Sequence, residues 1–337
     1  MYAADSEVMK QKDEALDLIM RRDPGNRGLL AAVPPNPVAK LRESLRGAER
    51  AVLLTGFPVR MPDGAVGETD GPSGTANMAW ALEQAGAEVR ALTDRFSLDQ
   101  LTAAMKARGC KAVPEMLPEE EEARHSFLEE LFGSFRPTHL ITLERPGKGA
   151  DGHFHSMRGI ELDDIVTDSQ EILAVAGSFG AEIISVGDGG NELGMGNLRE
   201  FVEKNVPFGD LICDSGISDI TLTAGVSNWW GWGVAAVLSQ LKGRDLLPSD
   251  RMEEDVLAAV VASGGVDGVT SKPELTVDNL SLSLHLEVLG AVRGSFDLRG
   301  RLTSGGSFDL RGEMPQNARI TRPAFLENAR SASSGAK

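Results

Sequence analysis

Ala51-Val-Leu-Leu-Thr-Gly-Phe57, the segment Thr75–Ala85 and Glu88-Val-Arg-Ala-Leu-Thr-Asp94 together decide the fold. Ala51–Leu54 is a short apolar run broken by Thr-Gly, which reads as a buried strand. Thr75–Ala85 has helical length and stops at Gly86. Glu88–Thr93 reads as a second strand, ending at Asp94. A strand, a helix and a strand in this order make a βαβ unit with parallel strands.

Working outward, the alternation continues. Leu98–Arg108 predicts a helix, Cys110–Val113 a strand, and Glu119–Phe135 a helix whose acidic start suits a helix N-terminus. His139–Leu143 predicts a strand ending at Glu144, Ser169–Phe179 a helix, and Glu182–Val186 a strand ending at Gly187-Asp188. The fold class is α/β, a mostly parallel sheet with flanking helices and one large core. Ligands of such sheets sit beyond the carboxyl ends of the strands. Here those ends run into loops rich in glycine and acid.

Residues 1–48 read as a helical segment packed on the core. Asp23-Pro24-Gly25-Asn26 stops its first helix, Val33–Pro37 forms an extended connector, and a helix follows over Val38–Arg46. Residues 49–293 form the α/β domain. Its last third predicts helices over Trp229–Leu241, Arg251–Ser263 and Leu280–Val292. Residues 294–337 carry a duplicated segment, Gly294-Ser-Phe-Asp-Leu-Arg-Gly300 and Gly306-Ser-Phe-Asp-Leu-Arg-Gly312, read as a partly disordered tail.

With 337 residues and 41% hydrophobic content, the chain can bury a core without staples. Its two cysteines, Cys110 and Cys213, have no CxxC or His/Cys spacing, which argues for a reducing compartment and against structural zinc. A formal net charge of −16 disfavours nucleic acid and anionic membrane as partners. No apolar run reaches the length of a membrane span, and the polar N-terminus has no signal core. The expectation is a cytoplasmic protein, with homo-oligomerisation left open.

Four loops are candidates for chemistry. Gly67-Glu-Thr-Asp-Gly-Pro-Ser-Gly74 combines Glu68 and Asp70 with glycines and a helix start able to hold an anion. Glu144–Gly159 gathers Arg145, Asp151, His153, His155 and Arg158; in an extended stretch the two histidines face opposite ways. Gly187-Asp-Gly-Gly-Asn-Glu-Leu-Gly-Met-Gly196 is neither a dinucleotide fingerprint nor a Walker A loop. Its Asp188, Asn191 and Glu192 are oxygen donors of the kind that suit Mg²⁺, Mn²⁺ or Ca²⁺. Val226-Ser-Asn-Trp-Trp-Gly-Trp-Gly233 offers a helix cap and either core packing or an aromatic wall. Gly265-Val-Asp-Gly268 and Val277-Asp-Asn279 read as surface turns.

At these residues the sequence resembles the D-glutamate cyclase family, specifically its C-terminal domain. Thr55-Gly-Phe57, Gly67–Gly74, Glu144-Arg-Pro-Gly147, Ala150-Asp-Gly-His153, Met157-Arg-Gly159, Gly187–Gly196 and Ser227-Asn-Trp229 carry the resemblance. It spans residues 50–290 and departs beyond Arg293. It implies ring closure of D-glutamate, a small acidic amino acid, to 5-oxo-D-proline and water. Asp188, Glu192 or His153 would take the ammonium proton, and Arg145, Arg158 or a bound metal would clamp and polarise the carboxyl. Gly71, Ser73, Gly74, Arg158, Asn191, Asn228 and Trp229 would bind substrate. Glu68, Asp70, Asp188 and Glu192 would hold a divalent cation, Mg²⁺ or Mn²⁺. The same groups also suit a metal-dependent phosphoester hydrolase or a non-catalytic metal or amino-acid binding module. A dinucleotide-binding protein is a weaker reading, with Asp94 as the ribose acid but no matching glycine loop.

Overall fold

Successive residues of β1 (Arg50–Thr55) point to opposite faces of the sheet, and both faces are covered. Ala51 and Leu53 join one apolar cluster, while Val52 and Leu54 join another. That is why the run is apolar throughout rather than alternating. The computed structural model describes residues 2–296.

The strands are β1, β2 (Pro58–Met61), β3 (Gly64–Gly67), β4 (Glu88–Thr93), β5 (Pro114–Met116), β6 (His139–Leu143), β7 (Glu182–Gly187), β8 (Ile220–Thr223), β9 (Thr276–Val277) and β10 (Leu280–Ser281). The helices are α1 (Tyr2–Met20), α2 (Val38–Arg46), α3 (Pro72–Ala85), α4 (Leu98–Arg108), α5 (Glu121–Phe135), α6 (Ile172–Ser178), α7 (Arg199–Asn205), α8 (Gly209–Ile212), α9 (Trp229–Lys242), α10 (Asp250–Ala262) and α11 (Leu282–Ser295).

Six strands form one parallel sheet in the order β5-β4-β1-β6-β7-β8. The chain therefore winds outward from β1 in one direction and then from β6 in the other. The crevice between the carboxyl ends of β1 and β6 is the topological switch point, where α/β sheets bind ligands.

One face of the sheet is covered by a cluster that includes Leu16, Leu41, Leu82, Leu101, Val260 and Leu289, so α1, α2, α3, α4, α10 and α11 share it with α9. The opposite face packs Leu128, Phe132 and Ile172 of α5 and α6. Trp229, Trp230 and Trp232 are fully buried in the first cluster. Their helix α9 crosses α3 at close approach, where a Cβ on Gly74 would lie 2.7 Å from the Asn228 Cα and one on Gly231 would lie 2.3 Å from the Gly74 carbonyl. Larger residues at either site would separate the helices.

The structure departs from the sequence reading at Cys110–Val113 and Gly265–Gly268, and adds a strand that the reading did not identify. Cys110–Val113 is not a strand, because the Lys111 and Ala112 amides donate to the Glu83 carboxylate instead of a neighbouring strand. The edge strand forms just after it, at β5, where Pro114 is tolerated because an edge leaves donors unpaired. The last sheet strand, β8, carries no sequence signal that set it apart from loop. Its outer edge is completed by Asn36, whose side chain accepts from Thr223 N at 2.6 Å and donates to Thr223 O at 3.0 Å. Finally, Gly265–Gly268 is not a surface turn, since Val266 and Asp267 are buried, whereas Val277–Asn279 does hold a turn, at Asp278-Asn279, that starts from a buried Val277 and leaves Asn279 exposed. Of the duplicated tail, Gly294 and Ser295 end α11 and Phe296 is buried in the first cluster. The rest lies outside the described residues.

Arg145 staples the strand ends. Its guanidinium, fully buried with that partner, meets Asp94 Oδ2 at 2.5 Å, donates to Gly56 O at 3.1 Å and Ser169 Oγ at 3.0 Å, and also reaches Thr167 O. Asp94 Oδ1 in turn accepts the Phe96 and Ser97 amides. Replacing Arg145 by Ala leaves a buried, uncompensated carboxylate. A loss of about 3–5 kcal/mol is expected in urea unfolding. An unchanged midpoint would show that the pair contributes nothing to the fold.

Candidate active site

Buried carboxylates converge at the switch point, and each is brought there by a different connection. Asp70 comes from the loop before α3. Both its oxygens are engaged: Oδ1 accepts Gly71 N at 3.0 Å and Asn228 N at 2.8 Å, and Oδ2 accepts Ser227 N at 3.0 Å. Asn228 answers reciprocally, with Oδ1 accepting Gly71 N at 2.9 Å and Gly74 N at 2.6 Å and Nδ2 donating to Thr69 O at 2.9 Å. The loops before α3 and α9 are thus locked together by side chains that cap both helix starts. Gly71 takes φ +102°, and a Cβ there would lie 2.6 Å from Thr55 Oγ1.

Glu68 lies just upstream, where its residue forms a parallel bridge to Val266. Glu144 follows β6 directly and holds a left-handed backbone, φ 46°, uncommon for a non-glycine residue and often found at functional sites. Asp188 follows β7. Glu192, four residues on, turns back and accepts the amides of Asp188, Gly189 and Gly190 at 2.9, 2.7 and 2.7 Å. Glu192 thus shapes the loop that presents Asp188.

Two further groups complete the cluster. Asp278 sits with Asn279 in the two-residue turn between β9 and β10, both at positive φ, as tight hairpins require. Asp267 braces that turn: Oδ2 accepts Asn279 N at 2.7 Å, and Oδ1 accepts Val269 N and Thr270 N at 2.9 Å. Trp229 Nε1 donates to His285 Nδ1 at 3.0 Å, and His285 Nε2 faces Val277 O at 3.3 Å. Arg27, from the connector after α1, supplies the positive charge. It pairs with Asp188 Oδ1 and, at 2.5 Å, with Asp278 Oδ1.

The charge balance is uneven. Burial first, then Asp278 and Asp70, raises Glu68 well above the carboxylate range. Burial and Asp278 push Asp70 up to about 8, against the opposing amide bonds. Burial, then Asp70 and Glu192, raises Glu144 well above its usual value. Glu192 is raised by burial, opposed by its bonds to backbone amides, those of Gly189 and Gly190 among them, and by the charge of Arg27. Burial opposes the charge on Arg27, yet Asp278, Glu144, Asp70 and Glu192 outweigh it and keep the guanidinium protonated.

Within this cluster two sets of oxygens lie close enough to share an ion: Asp70, Asp188 and Asp278, and Glu144, Asp188 and Glu192. In each set the ligand atoms are within 4.8 Å of one another. Glu144 Oε2, Asp188 Oδ2 and Asp278 Oδ2 are buried without a hydrogen-bond partner among the described residues. Orphaned buried oxygens are costly unless a cation or proton satisfies them. An all-oxygen donor set fits a hard divalent cation.

Asp188 is thus shared by both sets, Asp70 falls in one and Glu192 in the other, while Glu68, which follows the antiparallel β3, is in neither set and acts on the cluster through its charge interactions with Asp278 and Asp70. Other candidates lie elsewhere or are already engaged. His153 is exposed and pairs with Asp163 at 2.6 Å, while His155 is buried against Asp151. Arg145 is committed to Asp94. Arg158 is on the exposed side, near Val269 O. Asn191 holds His155 O at 2.8 Å, and Ser73 Oγ donates to Glu253. Trp229 is core and bonded to His285. The helix start at Gly71 and Gly74 is not an open anion cradle, because Asn228 Oδ1 already takes both amides. Sequence reading missed Arg27, Glu144 as a site acid, Asp267 and Asp278. The paired Asp278-Asn279 of a hairpin turn was the one local signal available.

A family model described as D-glutamate cyclase-like, C-terminal, matches residues 16–293. A 247-residue stretch, 70% of this chain, is 31% identical to the human (Homo sapiens) protein named D-glutamate cyclase, mitochondrial, and covers 40% of that protein. The chain thus spans less than half the length of that relative. A solved structure, a point variant of actinorhodin polyketide ketoreductase with NADPH, aligns over 73% of this chain and 92% of its own at 13% identity. Its TM-score of 0.29 is too low to carry any argument about fold or ligand.

The raised carboxyls give a stability signature. A buried acid with a raised pKa stabilises the fold at low pH, and that contribution is lost as pH rises through the raised value. In the presence of EDTA the urea midpoint is expected to fall between about pH 4 and about pH 8, the span from an ordinary carboxylate to Asp70. Asp70→Asn should flatten part of that fall. A midpoint that climbs over the same range in EDTA would contradict the burial of these acids.

Proposed function

Because the chain belongs to the D-glutamate cyclase-like family, we propose that it closes D-glutamate, by intramolecular amide formation, to 5-oxo-D-proline and water. The observation that supports this reading most is the buried carboxylate cluster with orphaned oxygens at the switch point of the sheet.

The reaction needs three things from the protein. The ammonium of the substrate must be held and deprotonated. The side-chain carboxyl must be made electrophilic. Its departing oxygen must gain protons. An acidic pocket attracts the ammonium end, and Arg27 offers a cation that acts on Glu68, Asp70, Glu144 and Glu192 together. Asp70, pushed up to about 8, is in the range where a carboxyl exchanges protons readily near neutral pH. In this reading a raised carboxyl such as Glu68 exchanges the protons between the ammonium and the departing oxygen, while Asp188 keeps its charge to hold the cations. The amine loses two protons overall and the departing oxygen gains two, so the cluster returns to its starting state. Holding both ends of one molecule in the pocket makes the attack intramolecular, with a large proximity benefit.

The residues that would hold a divalent cation, Mg²⁺ or Mn²⁺, are among Glu68, Asp70, Glu144, Asp188, Glu192 and Asp278. Such an ion would supply Lewis-acid polarisation of the carboxyl. The same pair of oxygen sets sharing Asp188 also suits phosphoester hydrolysis, which a substrate panel separates from cyclisation. Among the described residues no helix is long and apolar enough to cross a membrane. The unpaired Cys110 and Cys213 support a reducing, cytoplasmic setting.

Asp188→Asn preserves shape and removes the charge. 5-Oxoproline formation from D-glutamate is expected to drop at least about a hundredfold, with a melting curve close to wild type. EDTA should reduce wild-type turnover as well. Wild-type-like turnover in the variant would move the chemistry off this cluster. Wild-type protein that produces no 5-oxoproline, with or without added Mn²⁺, would end the cyclase reading.

A further inference from the structure

We propose that the cluster takes a single divalent cation, at Glu144, Asp188 and Glu192, and that Arg27 is built in as the second cation, at Asp188 and Asp278. This rests on the cation in the reading above and assigns its place.

The two oxygen sets share Asp188 and differ in what they lack. In the set with Asp70 and Asp278 the positive charge is already present. Arg27 bridges Asp188 Oδ1 and Asp278 Oδ1, and both oxygens of Asp70 are taken by backbone amides. In the set with Glu144 and Glu192, among the described residues, no side-chain cation is paired with any member except through the far oxygen of Asp188. Glu144 Oε2 and Asp188 Oδ2 are left without partners, in residues only 5% and 2% exposed. Glu192, like Asp70, has both oxygens on backbone amides, and Asp278 Oδ2 is also unpartnered, so what separates the sets is that Arg27 already sits on Asp278 and no side-chain cation sits on Glu144. A shared carboxylate holding one cation on each oxygen is the arrangement of two-metal centres, which clamp a reacting group from both sides. Here one of the two positions is filled by a guanidinium. Unlike a metal it cannot dissociate, and it presents a fork suited to a carboxylate.

Arg27 is held in place rather than free to swing. The segment behind it is tied by Arg21, which donates to Pro34 O at 2.6 Å, Leu30 O at 2.7 Å and Val33 O at 2.9 Å. Leu29, Leu30 and Val33 are buried against Met195, Leu198 and Val202. A fixed guanidinium at Asp188 excludes a second ion from that position by charge and by volume.

The test uses the full chain, stripped with chelator and titrated with Mn²⁺ alone, read by calorimetry and by the electron-spin signal of free Mn²⁺. Wild type should bind one ion per chain. Arg27→Gln should bind two, and Arg27→Lys, which keeps the charge, one. Glu144→Gln should weaken the wild-type site by more than about tenfold, whereas Asp70→Asn should leave it nearly unchanged. Melting curves check that each variant is folded; should Arg27→Gln fail to fold, the Glu144 and Asp70 pair decides the placement. Two ions in wild type, one ion in both wild type and Arg27→Gln, or an equal loss in Glu144→Gln and Asp70→Asn would each overturn the inference and leave the cyclase reading standing. Binding by Arg27→Gln alone would overturn it too, making Arg27 a plug. No binding by any variant would overturn it and remove the cation from the proposed function, while the 5-oxoproline assay still decides cyclisation.

Discussion

Burying several carboxylates at one sheet edge costs free energy that grows steeply with each added charge, because desolvation and mutual repulsion act together. Glu68, Asp70, Glu144 and Glu192 are all shifted upward by this, and Arg27 is the cation that opposes it for each of them or is held by it. The rest of the architecture can be understood as the apparatus that makes this arrangement persist. The acids of the sheet follow parallel strands or their connections, where the sheet holds backbone positions fixed. Asp278 arrives on a hairpin, and Arg27 on a connector before the sheet begins.

Rigid placement comes mainly from polar clamps between loops. Asp70 and Asn228 exchange hydrogen bonds that lock two helix starts together. Glu192 folds its own loop by taking three amides, and Asp267 braces the turn that carries Asp278. Arg145 and Asp94 tie the ends of β6 and β4 beneath the site. In each clamp the buried charge finds partners in backbone groups that would otherwise be unsatisfied. The oxygens left over, on Glu144, Asp188 and Asp278, are the ones available to a ligand. Unused lone pairs thereby mark Glu144, Asp188 and Asp278 as the carboxylates open to a ligand, while Glu192 shapes the loop and also lies within reach of the same position. That criterion explains why the many acids of this loop system are not equivalent.

The strained backbone of Glu144 belongs to the same pattern. Its positive φ lies at the switch point, where β1 and β6 diverge in the winding of the sheet. A non-glycine residue in that conformation costs about 1–3 kcal/mol and persists because the neighbouring strands over-determine it.

The sequence by itself determined the parallel α/β class and the family; the order of the strands came from the tertiary structure. Apolar runs such as Ala51–Leu54, broken by Thr-Gly, and Ile183–Val186, ending in Gly187-Asp188, are one-dimensional signals of buried parallel strands, and they directed attention to the loops of Asp70, Asp188 and Glu192 at one edge. Such patterns are local, because a strand's burial is written in its own residues. What only the tertiary structure decided is which polar groups are spent and which are free. Arg145 and Arg27 look alike as sequence, yet one is consumed by Asp94 and the other completes the site. His153 and Asp278 both sit in polar loops, yet one faces solvent and the other the cluster. Those outcomes depend on contacts between residues far apart along the chain, Arg27 with Asp278 and Asp188 with Asp278 among them. No short window of sequence contains both partners of such a contact, so its physics appears only once the chain has folded.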